Sequence, residues 1–289
     1  MILLGLISGI ILARKLSLRT GENPEHVLNI AVFGTATALI GARLYHVFDQ
    51  DVWPRYRAQP IEIFQIWDGG IGIFGAILGA LAGLLIYARW RKLESLRWLD
   101  IGAPAFLLGQ AVGRWGNFFN QELFGGPTSL PWGIPIPQVN VLREAPRFVE
   151  FERFHPLFLY ESVLSLIGVV FLVFVYIRFG PVLMKRFDRK GNEVTQLTWK
   201  SKIRLRQGDL LLLYFIWYPC ERFVLEFVRA GKWEMGVLPM AQWISGALVL
   251  AAGAALIGRH FTPNGANQDI EAPFRRSRSS VRRQSRRSE

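Results

Sequence analysis

The sequence predicts an all-α membrane protein that crosses the bilayer about seven times, with its N-terminus outside and its C-terminus in the cytoplasm. Three observations predict this. First, apolar runs recur along the chain, among them Ile71 to Tyr87, Leu164 to Ile177, Leu210 to Tyr218 and Ile244 to Ile257. With their flanks, several can cross about 30 Å of hydrocarbon as helices of roughly 20 residues. Second, the apolar residues are gathered into runs. They make up 51% of the 289 residues, hardly more than the roughly 45–50% of a soluble domain, so their clustering carries the argument. Third, 23 of the 34 lysines and arginines fall in alternate connections on one side, and seven on the other. That bias marks the cytoplasmic face.

The spans lie near residues 1–13, 27–48, 70–88, 99–119, 156–178, 209–228 and 239–258. Only 13 residues precede Arg14, too few to cross comfortably, so the chain is expected to start late and to lack part of its first helix. A signal peptide fits poorly, because the charges follow the apolar run. Arg14, Lys15 and Arg19 mark the first cytoplasmic turn, and span two carries Arg43 near its outer end. Span three opens with WDGGIGIFGAILGA, Trp67 to Ala80. Its glycines permit close approach of another helix or a lipid, and Asp68 is placed to cap the helix.

Span four ends in GRWGNFFNQELFG, Gly113 to Gly125, and leads into the longest external connection, Gln121 to Phe154. A connection of this length often shapes or covers a site. Span five opens with FHPLFLYE and ends at Arg178, which is placed to snorkel to the interface. Span six carries ERFVLEFVR. Beyond the transmembrane body, residues 1–262, the tail 263–289 is polar and ends in RRSRSSVRRQSRRSE. Such a segment cannot form a core and is expected to be a disordered arm drawn to anionic membrane lipids.

The net charge of +12 therefore points to a membrane surface; nucleic acid is not expected as a partner. A single cysteine, Cys220, excludes an intrachain disulfide and is expected to pack as a small buried side chain. His26, His46, His155 and His260 lack the spacing of metal ligands, so no metal site is expected.

Two polar clusters remain, and polar groups at membrane depth are expensive unless they have a role. Arg114 and Asn117 share a helical face, with Asn120 and Glu122 following them. Arg222, Glu226 and Arg229 share a face of span six. Both clusters fall at the outer leaflet. Arginine suits a phosphate because its planar fork donates paired hydrogen bonds and stays charged. Structural ion pairs between helices, such as Arg222 with Glu226, are the competing account. Arg43 would add a third positive charge or would bond helix carbonyls. His155, followed by Tyr160 and Glu161, is a candidate proton acceptor.

At these residues the chain resembles the prolipoprotein diacylglyceryl transferases of bacterial membranes. GRWGNFFNQELFG matches the family's glycine-bounded motif in length and in its Arg, Asn and Glu positions. WDGGIGIFGAILGA, HPLFLYE and RFVLEFVR match three further segments in the same order. The resemblance covers all seven spans and leaves out the tail. It implies transfer of the diacylglyceryl group of phosphatidylglycerol to the lipobox cysteine of a prolipoprotein signal peptide. The enzyme would lie in the bacterial inner membrane and need no added cofactor, because the donor carries its own leaving group.

On this resemblance Arg114, Arg222, Glu226 and His155 are the catalytic candidates. Arg43, Asn117, Asn120, Glu122, Gly125, Tyr160 and Arg229 join Arg114 around the substrate. One departure stands out. Many relatives carry a histidine in the WDGG segment where this chain has Phe74. His155, Glu226 and Glu122 are then the alternative bases, or the arginines lower the thiol pKa without one. The competing function is a transporter or channel for an anionic solute or lipid. No internal repeat favours it.

Overall fold

A computed structural model describes residues 1–49, 52–187, 193–198, 204–231, 234–235 and 238–261. The tail and several of the basic residues between spans five and six lie outside them. The fold is mostly helical. Its helices are α1 (Ile2–Arg19), α2 (Glu25–Val47), α3 (Trp53–Ala58), α4 (Ile73–Trp90), α5 (Ser95–Gly113), α6 (Trp115–Asn120), α7 (Gln138–Glu144), α8 (Leu157–Phe179), α9 (Asp209–Leu225) and α10 (Met240–Phe261).

Each expected span contains a helix, but among the described residues only α2, α4, α8 and α10 are long and apolar enough to cross a membrane by length and composition. The others are shorter or are diluted by polar groups. α1 runs on through Arg14 and Lys15 to Arg19, α5 holds Arg97, Asp100 and Pro104, and α9 holds Asp209, Glu221 and Arg222.

The all-α expectation needs one correction. Short antiparallel pairs form in the connections: β1 (Ile134–Pro135) with β2 (Arg153–Phe154), β3 (Val182–Phe187) with β4 (Glu193–Thr198), and β5 (Glu234–Met235) with β6 (Leu238–Pro239). Valine and threonine recur in β3 and β4, where branched side chains favour extended backbone.

The chain divides into two compact units, residues 10–101 and residues 1–9 with 102–289. In the first, α2 packs against α4 through glycines. A Cβ at Gly41 would strike the Gly75 carbonyl, and one at Gly79 would strike that of Thr37. Gly75 and Gly79 of the WDGG segment are therefore used for backbone contact between helices, whereas Gly72 meets the Tyr45 side chain. Asp68 does not cap α4. The N-cap is Gly72, without a side-chain bond, and Asp68 lies in a short 3-10 turn, Ile66–Asp68.

In the second unit α9 packs against α8 and α10. Gly168 leaves room for the Trp217 indole, whose Nε1 donates to the Leu164 carbonyl at 3.2 Å. Fully buried Asp209 accepts from the Arg206 backbone N–H at 2.7 Å and meets His260 Nε2 at 2.9 Å, joining the start of α9 to the end of α10. The long external connection, joined by Ala230 from beyond α9, builds a lobe with a core of Phe124, Ile136, Val141, Ala145, Phe154 and Ala230. Cys220 is exposed, contrary to expectation. The apolar run around it packs through other faces of α9.

Candidate active site

The site forms where α5 gives way to α6. Arg114 stands at the junction, and the backbone stays helical through it: Arg114 N–H donates to the Gln110 carbonyl, and Asn117 N–H to that of Arg114, each at 3.0 Å. The arginine is thus fixed at its base while its side chain reaches to α8 and α9. Arg114 Nε lies 2.9 Å from Glu161 Oε2, and Nη2 donates to Tyr218 Oη at 3.4 Å.

Arg222, from α9, reaches the same carboxylate. Its Nη1 donates to Glu161 Oε1 at 2.8 Å, while Nη2 lies 3.1 Å from Glu226 Oε2. Arg229 Nη1 is 3.7 Å from that same Glu226 oxygen. The side chains of Glu161 and Glu226 are only 2% and 3% exposed. Carboxylates so removed from water persist as ions only when paired. Three guanidinium groups share these two carboxylates. Each fork carries five N–H donors, more than the carboxylates use, so donors remain for an anionic ligand.

A third carboxylate, Glu221, adjoins the cluster. Ser165 Oγ lies 2.9 and 3.1 Å from its two oxygens.

The rest of the GRWGNFFNQELFG segment closes on itself. Asn117 Nδ2 and Asn120 Nδ2 both donate to Glu122 Oε1, at 3.1 and 3.0 Å. This convergence needs an unusual backbone. Gln121 and Leu123, on either side of Glu122, both have φ of +52°. A non-glycine residue in that region costs about 1–2 kcal/mol. Leu123 N–H is held by Glu144 Oε2 at 2.7 Å.

Gly125 is required by proximity. A Cβ there would lie 2.6 Å from His155 Cβ and 3.1 Å from the Val228 carbonyl. Its own N–H donates to the His155 carbonyl at 2.9 Å, and it forms an antiparallel bridge with Arg229. The motif's end, His155 and Arg229 are therefore tied through backbone. Tyr160 Oη accepts from Trp132 Nε1 at 2.8 Å and lies 3.1 Å from His155 Nδ1.

Arg43 belongs to the other unit. It is 7% exposed and donates to the carbonyls of Ile63, Gly69 and Gly70 at 2.8, 2.7 and 3.0 Å, and to those of Glu62 and Gln65. Phe74, in that unit, is 62% exposed and faces Tyr45, with ring centroids 5.9 Å apart.

Sequence reasoning did not assign a role to Glu161, Glu221, Ser165, Tyr218 or Glu144. Some of them carry a signal. Tyr218 precedes Arg222 by four residues and Ser165 follows Glu161 by four, so each pair shares a helical face. Nothing in the sequence shows that Glu161 lies between two arginines 61 and 47 residues away along the chain.

The family model for prolipoprotein diacylglyceryl transferase matches residues 1–258. The chain belongs to this family. A relative from Chloroflexus aggregans is 36% identical over 274 residues, covering 91% of this chain and 84% of its own. One from Gloeobacter violaceus is 36% identical over 257 residues, covering 89% and 85%. One from Streptococcus equi subsp. zooepidemicus is 33% identical over 266 residues, covering 90% and 88%. All three are named phosphatidylglycerol–prolipoprotein diacylglyceryl transferase.

Proposed function

We propose that this protein transfers the diacylglyceryl group of phosphatidylglycerol to the lipobox cysteine thiol of a prolipoprotein. The observation that carries the reading is the convergence of the Arg114 and Arg222 forks on one buried carboxylate. In the reaction the thiol S–H bond breaks and a bond forms between sulfur and the glyceryl carbon beside the phosphate. The bond from that carbon to the phosphate oxygen breaks, and glycerol phosphate leaves with the electron pair. Negative charge on the phosphate is greatest as it departs, so fixed guanidinium groups favour the transition state over the ground state.

Arg114 and Arg222 bind that phosphate, and Asn117, Asn120 and Glu122 orient the headgroup. Arg229 supports the cluster through Glu226. Arg43, whose donors meet backbone carbonyls, fixes the segment from Glu62 to Gly70. A free thiol is only a few per cent ionised near neutral pH, so the attack needs an acceptor or a positive field. Phe74 has no acceptor to offer. His155, Glu122 and Glu226 are the acceptors this reading allows, and the guanidinium field is its alternative.

The protein works as a multi-pass enzyme of the inner membrane, with seven crossings, its N-terminus outside and its tail cytoplasmic. The basic-residue asymmetry supports that orientation. A reporter fused after Arg287 is expected to read cytoplasmic; an external reading reverses the topology.

The decisive test gives purified protein in detergent both phosphatidylglycerol and a lipobox peptide, and follows thioether formation by mass spectrometry. The diacylglyceryl peptide and free glycerol phosphate are the expected products. Absence of product from folded protein, with anion flux in liposomes, overturns the assignment in favour of transport.

A further inference from the structure

We propose that Glu144 is a positioning residue for the transferase site, clamping the strained turn that holds Glu122 against Asn117 and Asn120. The proposal rests on the reading of those three side chains as the groups that orient the lipid headgroup.

The turn needs a clamp. Gln121 and Leu123 both sit in the left-handed region with φ of +52°, where side chains other than glycine are disfavoured. An untethered turn relaxes toward ordinary backbone and swings Glu122 away from the two amides. The tether is specific. Leu123 N–H meets Glu144 Oε2 at 2.7 Å, a charge-assisted bond of the strong class.

The clamp itself is anchored. Glu144 ends α7, and next to it Ala145 and, one turn back, Val141 lie in the lobe core with Phe124 and Phe154. The Glu144 carbonyl is so close to Gly231 that a Cβ there would stand 2.8 Å away. A glutamate at the last position of a helix faces the negative end of the helix dipole, so α7 itself gains nothing from it. Among the described residues, Arg143 also faces this carboxylate, 3.8 Å from Oε1 with its own side chain 63% exposed. The bond to the turn is what distinguishes the position. Because the lobe also pairs Gly125 with Arg229, the same lobe holds the motif's turn and the end of the arginine cluster.

The experiment measures KM for phosphatidylglycerol and kcat separately, with purified enzyme in detergent and a lipobox peptide. E144A is expected to raise KM about tenfold, the effect of losing one charge-assisted bond, while E144Q keeps an accepting oxygen and stays within about twofold of wild type. L123G removes the strain at the residue whose N–H Glu144 holds, because glycine adopts the left-handed region freely. In the L123G background, adding E144A is therefore expected to leave KM unchanged. A purely structural role for Glu144 would lower the melting temperature without this pattern.

Wild-type KM in E144A, failure of E144Q to preserve it, or a raised KM in the double variant relative to L123G each overturns the proposal. The comparison within the L123G background holds even if E144A alone does not fold. Wild-type enzyme that makes no thioether product overturns the transferase reading itself and this proposal with it, a result distinct from a silent E144A.

Discussion

Replacing Arg114 by lysine is expected to lower kcat/KM by about 100- to 1000-fold, equivalent to roughly 3–4 kcal/mol of lost transition-state stabilisation, while the protein stays folded. The reason lies in the fork. Arg114 reaches Glu161 through Nε and Tyr218 through Nη2, and a single ammonium cannot hold both positions and still present a planar pair of donors to a phosphate. The charge survives the substitution, so the two carboxylates are not stranded and gross stability is spared. Thioether formation and thermal unfolding in detergent check the two halves. Near wild-type turnover in folded R114K removes Arg114 from the mechanism.

Glu161→Ala is expected to act mainly on stability. Glu161 is 2% exposed and lies between Arg114 and Arg222, so removing it leaves two guanidinium groups facing each other with no carboxylate between them. Breaking a buried pair by deleting one partner costs about 3–5 kcal/mol, which lowers Tm by about 10 °C in a chain of this size. The sign of the lipid effect is a sharper consequence. An anionic phosphate takes the place of the lost carboxylate, so phosphatidylglycerol is expected to raise Tm more in the variant than in wild type. An unchanged Tm, or equal lipid effects on both proteins, shows that the arginines do not depend on Glu161.

These expectations divide between what the linear sequence carries and what it does not. Apolar runs mark the helices because a helix must bury or submerge an unbroken apolar surface, and glycines such as Gly75 and Gly79 allow a helix contact because without a Cβ they let backbones meet. The expected positions of Arg114, Asn117, Arg222 and Glu226 rest on local spacing, and the Arg222–Glu226 ion pair follows from it. Asp68 shows where local logic stops. It is a good capping residue in the right neighbourhood, yet the N-cap of α4 is Gly72, four residues later, whose N–H is taken by the Ala42 carbonyl of α2 at 3.0 Å. Arg43 is a similar case. Its charge is plain in the sequence, but the five carbonyls around it come from a folded connection that no periodicity describes.

The sequence by itself determined that the chain is a helical membrane protein and which family it resembles, and it singled out the arginines and amides proposed for an anion. Hydropathy, charge asymmetry and i, i+4 spacing are local properties, so a linear reading holds them. Tertiary structure alone decided that Glu161 is shared by two arginines, that Gly125 admits no side chain against His155, and that Glu144 meets the strained turn at Leu123. Each of these depends on residues 20 or more positions apart along the chain. Such contacts follow from how helices and the lobe pack, and packing is a property of surfaces that exist only once the chain has folded.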